Sequence, residues 1–111
     1  AQADAHRLRI TAGLDALLQG NAVLALPTTP GGAPLIGTPV PALEAWRNRA
    51  LGLLCIAGHA GLPQINLPLA VVDGRPVGLS LVAARGNDVL LLDLACRLRH
   101  ALRTGPVRPP A

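Results

Sequence analysis

The only serine in the chain is the first residue whose chemistry could define an activity. Ser80, with His59 and Asp73, supplies the residue types of a hydrolytic triad. A catalytic serine of this kind stands on an exposed elbow between glycines, whereas Ser80 lies in the segment GLSL (78–81), inside a predicted strand. We therefore predict a buried serine bonded to a backbone group, and no catalytic residue in this chain.

The cysteines and histidines lack the spacing of a metal site. Cys55 and Cys96 lie in predicted helices, Cys96 on the inner face, and each is expected to act as a small buried hydrophobe. The histidines share no ligand motif, so we predict no metal ion and no cofactor. His59, at a predicted helix end, is expected either to cap carbonyl groups or to line a cavity.

The charge balance raises the possibility of a nucleic-acid partner, which the rest of the composition opposes. The 111 residues carry a net charge of +4, and all ten basic residues are arginines scattered along the chain. Base stacking requires aromatic rings, and Trp46 is the single aromatic residue. The apolar fraction of 50% and the charged fraction of 14% exclude disorder, and two cysteines exclude a disulfide scaffold. We predict no nucleic-acid partner.

One uncharged stretch, residues 50–72, is long enough to cross a bilayer. Its second half contains Pro63, Gln64, Asn66 and Pro68, which would break a helix and leave polar groups in lipid. We predict a helix followed by a strand there, and no membrane partner. No basic segment followed by an apolar run opens the chain, so we expect a cytoplasmic protein.

Hydrophobic periodicity and turn signals predict an α/β fold in the order α-β-loop-α-β-β-α. The predicted elements are a helix over 3–19, a strand over 22–26, a breaker-rich loop over 27–41, a helix from Pro41 to about Ala57, strands over 62–72 and 77–83 joined by an Asp-Gly turn, and a helix over 89–102.

The second predicted helix indicates that the chain is part of something larger. Its segment 51–57 has no charge on any face, as in helices surrounded by protein, and a chain of this size cannot surround it. The absence of methionine suggests in addition that the chain does not begin at a translation start.

The loop after the first strand is the best candidate for ligand contact. Thr28 and Thr29 follow a buried strand, and α/β sheets open their ligand crevices at strand ends of this kind. A Gly31–Gly32 pair lies further along this loop, but it lacks the Lys-Ser/Thr and the helix of a phosphate loop.

Four motifs in register over residues 8–98 resemble the C-terminal quarter of amidase-signature hydrolases. They are PTTP (27–30) after the buried strand, GLP (61–63) leading into LPL (67–69), DG (73–74) followed by PVGL (76–79), and the capped helix start ND (87–88) with LL (91–92). Residues 47–51 and 57–61 are most similar to the branch related to plant indole-acetamide hydrolases.

The resemblance implies a partial α/β/α layered fold around a mixed sheet. It also implies hydrolysis of a small-molecule carboxamide by a Ser–cis-Ser–Lys triad that lies upstream of this chain, which has no lysine and one serine. Residues 1–104 would be the C-terminal part of the amidase domain, inactive alone and in contact with the missing N-terminal portion. Residues 105–111 would form a flexible tail, and a homodimer is possible.

By the same resemblance, the second helix borders the acyl pocket. This implies substrate contacts for Trp46, Arg49 and Leu53, beside Thr28 and Thr29. The residues themselves leave two alternatives open, because Trp46 could serve packing and Arg49 could be solvated or ion-paired. A catalytically inactive scaffold or partner-docking module with the same fold is the alternative function, and aryl-acetamide, aliphatic amide and amidotransferase-type substrates all remain open.

Overall fold

The computed structural model describes residues 1–103, which form three helices and three strands in the predicted order. The elements are α1 (Gln2–Leu17), β1 (Val23–Pro27), α2 (Val40–Ala60), β2 (Gln64–Val72), β3 (Arg75–Ala83) and α3 (Asp88–Arg103). The predicted flexible tail, 105–111, lies outside the described residues. No helix within 1–103 is long and apolar enough to span a bilayer.

The sheet has the strand order β1-β3-β2, and β3 pairs antiparallel with both neighbours. The predicted hairpin joins β2 to β3 through Asp73 and Gly74, whose φ angles of 52° and 75° are the positive values that this tight turn requires. The α/β class is confirmed, and the described strand pairs are all antiparallel. The parallel pairing that a mixed sheet also contains is not among them.

The edge strand β2 changes register with β3 between Leu67 and Ala70. Pro68 lies at this irregularity, and proline has no N–H to give to a strand ladder. The irregularity divides β2 into a segment paired near β3's end and a segment paired near the hairpin.

The two faces of the sheet carry separate cores, because side chains alternate along each strand. On one face Leu81 and Leu67 pack against Leu91 and Ala95 of α3. On the other face the core consists of small and branched apolar residues from α1's end, α2's last turn and the strands: Leu18, Leu26, Ala57, Ala60, Leu62 and Val82. Helices therefore cover both faces, as expected for α/β/α layers.

Helices α1 and α2 contact each other and leave much of their surface uncovered. Helix α1 has no buried residue, and α2 buries only Ala50, Ala57 and Ala60. In the uncharged half of α2, Leu51 remains 44% exposed and Leu54 37% exposed. Residues 1–103 thus do not surround this helix, in agreement with the expectation from its composition.

Arg85, after β3, joins the two helices to the end of the sheet. Its Nη2 lies 2.5 Å from Oδ1 of Asp15 on α1, and its Nη1 donates to the carbonyl oxygen of Ala60 at the end of α2. Asn87 adds a bond from Nδ2 to the carbonyl oxygen of Gly20 at 3.0 Å. These bonds attach α1, the end of α2 and the turn before β1 to the segment that follows β3.

Candidate functional site

A cleft of about 460 Å³ opens between the loop after β1, the first half of α2 and the β2–β3 hairpin. Its walls combine loop backbone with a few large side chains from the helix and the hairpin. The lining residues are Pro30, Gly31, Gly32, Pro34, Leu35, Thr38, Ala42, Trp46, Arg49, Val72, Asp73 and Arg75.

The loop wall of the cleft is held by strand β3. Prolines at 30, 34 and 39 prevent helix or ladder formation, so other contacts must position the loop. The side chain of Arg75, at the start of β3, lies against Gly32 and donates from Nη1 to the carbonyl oxygen of Ala33. A Cβ on Gly32 would lie 2.8 Å from the Cβ of Arg75, so this close approach requires glycine.

The helix wall of the cleft presents Trp46 and Arg49, one turn apart on the same side of α2. The indole Nε1 of Trp46 is buried and has no hydrogen-bond partner within 1–103. Arg49 is exposed and makes no ion pair within the described part, whereas Arg47 lies 3.6 Å from Glu44. The guanidinium of Arg49 and the indole ring of Trp46 together suit a ligand with a flat apolar group and an acceptor oxygen.

The charges at the cleft come from both walls. Arg49 and Arg75 carry positive charge, and Asp73 of the hairpin carries the opposing negative charge. The excess of positive charge favours an electron-rich group, such as a carbonyl oxygen, at this end of the cleft.

A hydrogen-bonded cluster, which we call the hydroxyl clasp, lies directly behind the loop and consists of Thr28, Asn66 and Ser80. Thr28 Oγ1 lies 2.5 Å from Asn66 Oδ1 and 2.7 Å from Ser80 Oγ. Each strand, or its immediate end, contributes one member. The hydrogen bonds of the clasp lie against the backbone of Gly78 on the central strand. A Cβ at Gly78 would lie 2.0 Å from Asn66 Oδ1, so the clasp requires glycine at this position.

The structure brings two of the five predicted contact residues, Trp46 and Arg49, to the cleft. Thr28 turns its hydroxyl into the clasp, and Thr29 donates from Oγ1 to the carbonyl oxygen of Gly31 at 2.7 Å. Leu53 packs against the core on the α1–α2 side of the sheet. These three residues therefore support or flank the cleft wall and do not line it.

Two predictions about single residues are wrong. Ser80 is buried as expected, with 0% exposure, but its partner is the Thr28 side chain and not a backbone group. Thr28 lies beside Gly78 and reaches diagonally to Ser80, which is itself opposite Leu26. Cys96 is exposed on α3 and not on its inner face, while Cys55 is half-buried. The helical repeat places Leu91 and Ala95 inward and leaves Cys96 outside.

The described residues form neither the Ser-His-Asp triad considered above nor a metal site. The His59 side chain is exposed and makes no hydrogen bond within 1–103, so it does not cap the helix; Gly61, with φ of 66°, ends α2 and donates its N–H to the carbonyl oxygen of Ala57. Ser80, enclosed in the clasp, has neither His59 nor Asp73 as a hydrogen-bond partner. Among residues 1–103, no three His, Cys, Asp or Glu residues are grouped as metal ligands.

No local pattern in the sequence indicated that the hairpin lines the cleft. Asp73 and Arg75 belong to a turn and strand start, and only the sheet topology places them beside the loop after β1. Gly32 could have suggested a close contact, although its partner Arg75 lies 43 positions later in the chain.

Solved structures of hydrolases, among them an amidase, share this α/β fold. A crystal structure of an amidase matches with a TM-score of 0.72 and 33% identity, over 90% of this chain and 24% of that one. A 6-aminohexanoate cyclic dimer hydrolase complexed with substrate matches with a TM-score of 0.72 and 27% identity, over 96% of this chain and 24% of that one.

The family model described as Amidase matches residues 1–92, and the chain belongs to this family. Amidase 1 of Oryza sativa subsp. japonica is 42% identical over 98 residues, which cover 88% of this chain and 22% of the relative. Translocon at the outer membrane of chloroplasts 64 of Pisum sativum is 36% identical over 87 residues, covering 78% and 15%. The chain thus spans about a fifth or less of these relatives' length. The finer indole-acetamide hydrolase branch stays a prediction.

Proposed function

We propose that this chain is the C-terminal part of an amidase that hydrolyses carboxamide C–N bonds. The family match over residues 1–92 carries the proposal. A Ser–cis-Ser–Lys triad upstream would perform the chemistry: the lysine acts on the cis serine, which relays the proton of the nucleophilic serine as that serine attacks the carbonyl carbon. The amine leaves with a proton, and water then releases the acyl group.

In this proposal the chain supplies one wall of the substrate pocket. Trp46 offers a ring face, and Arg49 offers a guanidinium that makes no ion pair in the described part. Thr28, Thr29 and Leu53 support the wall through the clasp, the loop and the core. Contacts of this kind raise affinity for an amide whose acyl group is flat or apolar.

The remaining features of the proposal follow from the same family membership. The partners are a small-molecule amide and the rest of the amidase fold, which would cover the exposed surface of α1 and α2. We propose a cytoplasmic enzyme without a cofactor, and with the possibility of a homodimer. The 111-residue chain alone is expected to be inactive, because a single serine and no lysine cannot complete the triad.

A second candidate function is a catalytically inactive scaffold or partner-docking module. The specific observation in its favour is the similarity to Translocon at the outer membrane of chloroplasts 64 and, at 32% identity, to Outer envelope protein 64, chloroplastic, of Arabidopsis thaliana. A shared fold does not by itself distinguish an enzyme from such a module. Upstream sequence distinguishes them, because a Gly-Ser-rich stretch with a lysine supports the enzyme.

A chimera tests the proposal directly. The matched C-terminal region of the rice Amidase 1 is replaced by this chain, and release of ammonia from primary amides is measured. Turnover by the chimera is the expected result, since the chain is 42% identical to the region it replaces. A chimera that melts cooperatively but releases no ammonia would favour the scaffold.

The pocket wall is tested in the same chimera. Arg49→Ala and Trp46→Ala are expected to raise KM roughly 10-fold, the equivalent of one lost contact of about 1.4 kcal/mol. Arg97→Ala is the matched control, because Arg97 is exposed on α3 and pairs only with Asp93 within the described part. An equal KM for the Arg49 and Arg97 variants would show that Arg49 does not contact the substrate.

A further inference from the structure

We infer that Asn66 and Ser80 are positioning residues for the substrate cleft, and that both act through Thr28. The inference rests on the proposed function, and it adds two residues that neither the motifs nor the cleft lining identifies. Thr28 is the first residue after β1, so it is the point from which the cleft-forming loop departs. Two residues further on, Pro30 begins the cleft lining.

The hydrogen bonds of the clasp have one consistent direction. Oδ1 of Asn66 can only accept, so the single hydroxyl proton of Thr28 is donated to Asn66. The bond between Thr28 and Ser80 must then be donated by Ser80. A chain of donors running from Ser80 through Thr28 to Asn66 strengthens each of its members. Because Ser80 has 0% exposure, its hydroxyl depends on Thr28 for its hydrogen bond.

The clasp and the backbone together hold Thr28 at three points. Its N–H donates to the carbonyl oxygen of Gly78 at 2.9 Å, and its hydroxyl is shared between Asn66 and Ser80. Beyond this residue the loop leaves the strand ladder. Its next attachment to the sheet described here is the bond from Arg75 to the carbonyl oxygen of Ala33. The direction in which the loop leaves β1 therefore depends on the side chain of Thr28.

This arrangement affects substrate binding more than the chemical step. The triad of the proposed function lies outside this chain, while the loop forms one side of the cleft. Loosening a wall that contacts substrate equally in the ground state and the transition state raises KM and leaves kcat nearly unchanged. That separation distinguishes a positioning role from a loss of folded enzyme, which lowers the apparent kcat.

Loop order is measured by native-state proteolysis of the natural full-length protein with thermolysin, which cleaves before large aliphatic residues. Leu35 and Ile36 are the targets, being 69% and 106% exposed at the loop's tip. Asn66→Ala and Ser80→Ala are expected to speed this cleavage roughly 10-fold, because each loosens the loop at its base. Asn66→Asp keeps an acceptor oxygen for Thr28 and is expected to restore the unmodified rate.

The control and the overturning results are defined by the same assay. Thr11→Val removes a hydroxyl bond to the carbonyl oxygen of Arg7 on α1, far from the loop, and should not change cleavage before Leu35. Cleavage of the Asn66→Ala variant at the unmodified rate overturns the inference, as does Asn66→Asp behaving like Asn66→Ala. If Ser80→Ala fails to fold, the Asn66 variants still provide the test, because Asn66 is exposed and its replacement leaves the core intact.

Kinetics complete the test and separate it from the proposed function. With an amide that the full-length protein hydrolyses, Asn66→Ala is expected to raise KM several-fold while kcat stays within about a factor of two. A lowered kcat at unchanged KM overturns the positioning role. A full-length protein that turns over no amide contradicts the proposed function instead, and the cleavage rates then still decide whether Asn66 and Ser80 position the loop.

Discussion

Thr28, directly after the outer strand β1, and Asn66, on the outer strand β2, are joined across the central strand by a side-chain hydrogen bond of 2.5 Å between Oγ1 and Oδ1. The bond exists because Gly78 lies beneath it without a side chain. Outer strands of a three-stranded sheet are ordinarily too far apart for short side chains to meet, since neighbouring strands lie about 4.8 Å apart. Gly78 is thus a structural requirement of the clasp.

Gly78→Ala is expected to destabilise the protein by about 1–3 kcal/mol, because the new Cβ forces the Asn66 side chain out of its place. Such a Cβ would lie 2.0 Å from Asn66 Oδ1 and 2.8 Å from Thr28 Oγ1. Urea denaturation measures the loss. Gly52→Ala is the matched control, because nothing lies within 4 Å of its Cβ and α2 gains helix propensity there. Equal stabilities for both variants would contradict the clasp geometry.

Thr28→Val is expected to cost about 1–3 kcal/mol, since it leaves the buried hydroxyl of Ser80 without a partner. The valine keeps the shape of threonine, so the loss reflects hydrogen bonding. Adding Ser80→Ala to Thr28→Val should recover part of the stability, because the unpaired hydroxyl is then gone. Denaturant midpoints of the two single variants and the double variant measure this coupling, and strict additivity would show that Thr28 and Ser80 do not interact.

Arg85→Ala is expected to lower stability more than Asp15→Asn, although both remove the same ion pair. The pair is partly exposed, at 47% and 44%, and exposed pairs contribute about 0.2–1 kcal/mol. Arg85 also donates to the carbonyl oxygen of Ala60, a bond that adds about 1 kcal/mol. Thermal unfolding at low and high salt measures both parts. High salt should weaken the contribution of the Arg85–Asp15 ion pair and leave that of the bond to Ala60 unchanged. Equal losses of stability for Arg85→Ala and Asp15→Asn would show that the bond to Ala60 contributes nothing.

The isolated 111-residue chain is expected to self-associate through the uncovered surface of α2. Leu51 and Leu54 are exposed there at 44% and 37%, and uncovered apolar patches of this kind drive association. Light scattering should show oligomers that Leu51→Glu with Leu54→Lys reduces. Val89→Glu, at an exposed position on α3, is the control for added charge. A monodisperse monomer of the unmodified chain would contradict the expectation that the exposed surface of α2 drives association.

The sequence predicted the order of the elements because their signals are local. The Asp-Gly turn and the apolar run of β3 depend on residues within a few positions of each other, and both the turn and the strand were found as expected. Errors occurred at element ends. Helix α2 continues past Gly58 to Ala60, because the left-handed conformation that ends it is taken by Gly61. Strand β3 begins at Arg75, two residues earlier than predicted, since it pairs with Val72 directly after the turn.

The site was less predictable because its contacts join distant parts of the chain. Trp46 and Arg49 were expected at the pocket because of the resemblance of their helix to the amidase-signature family, and both line the cleft. The contact of Arg75 with Gly32, and of Ser80 with Thr28, depends on β1 pairing with β3 and not with β2. No local pattern encodes that pairing. Thr28 was therefore assigned to the ligand, when its hydroxyl is occupied by Asn66 and Ser80.

The strand order β1-β3-β2 has a consequence for synthesis on the ribosome. Val23 of β1 pairs with Ala83, so β1 leaves the exit tunnel long before the strand it pairs with has been made. The hairpin of β2 and β3, whose strands are joined by two residues, can form first. We expect β1 to dock last, onto a hairpin already in place. Nascent chains stalled a few residues past β2 should be cut by protease within β1, whereas chains stalled well beyond Ala83 should resist.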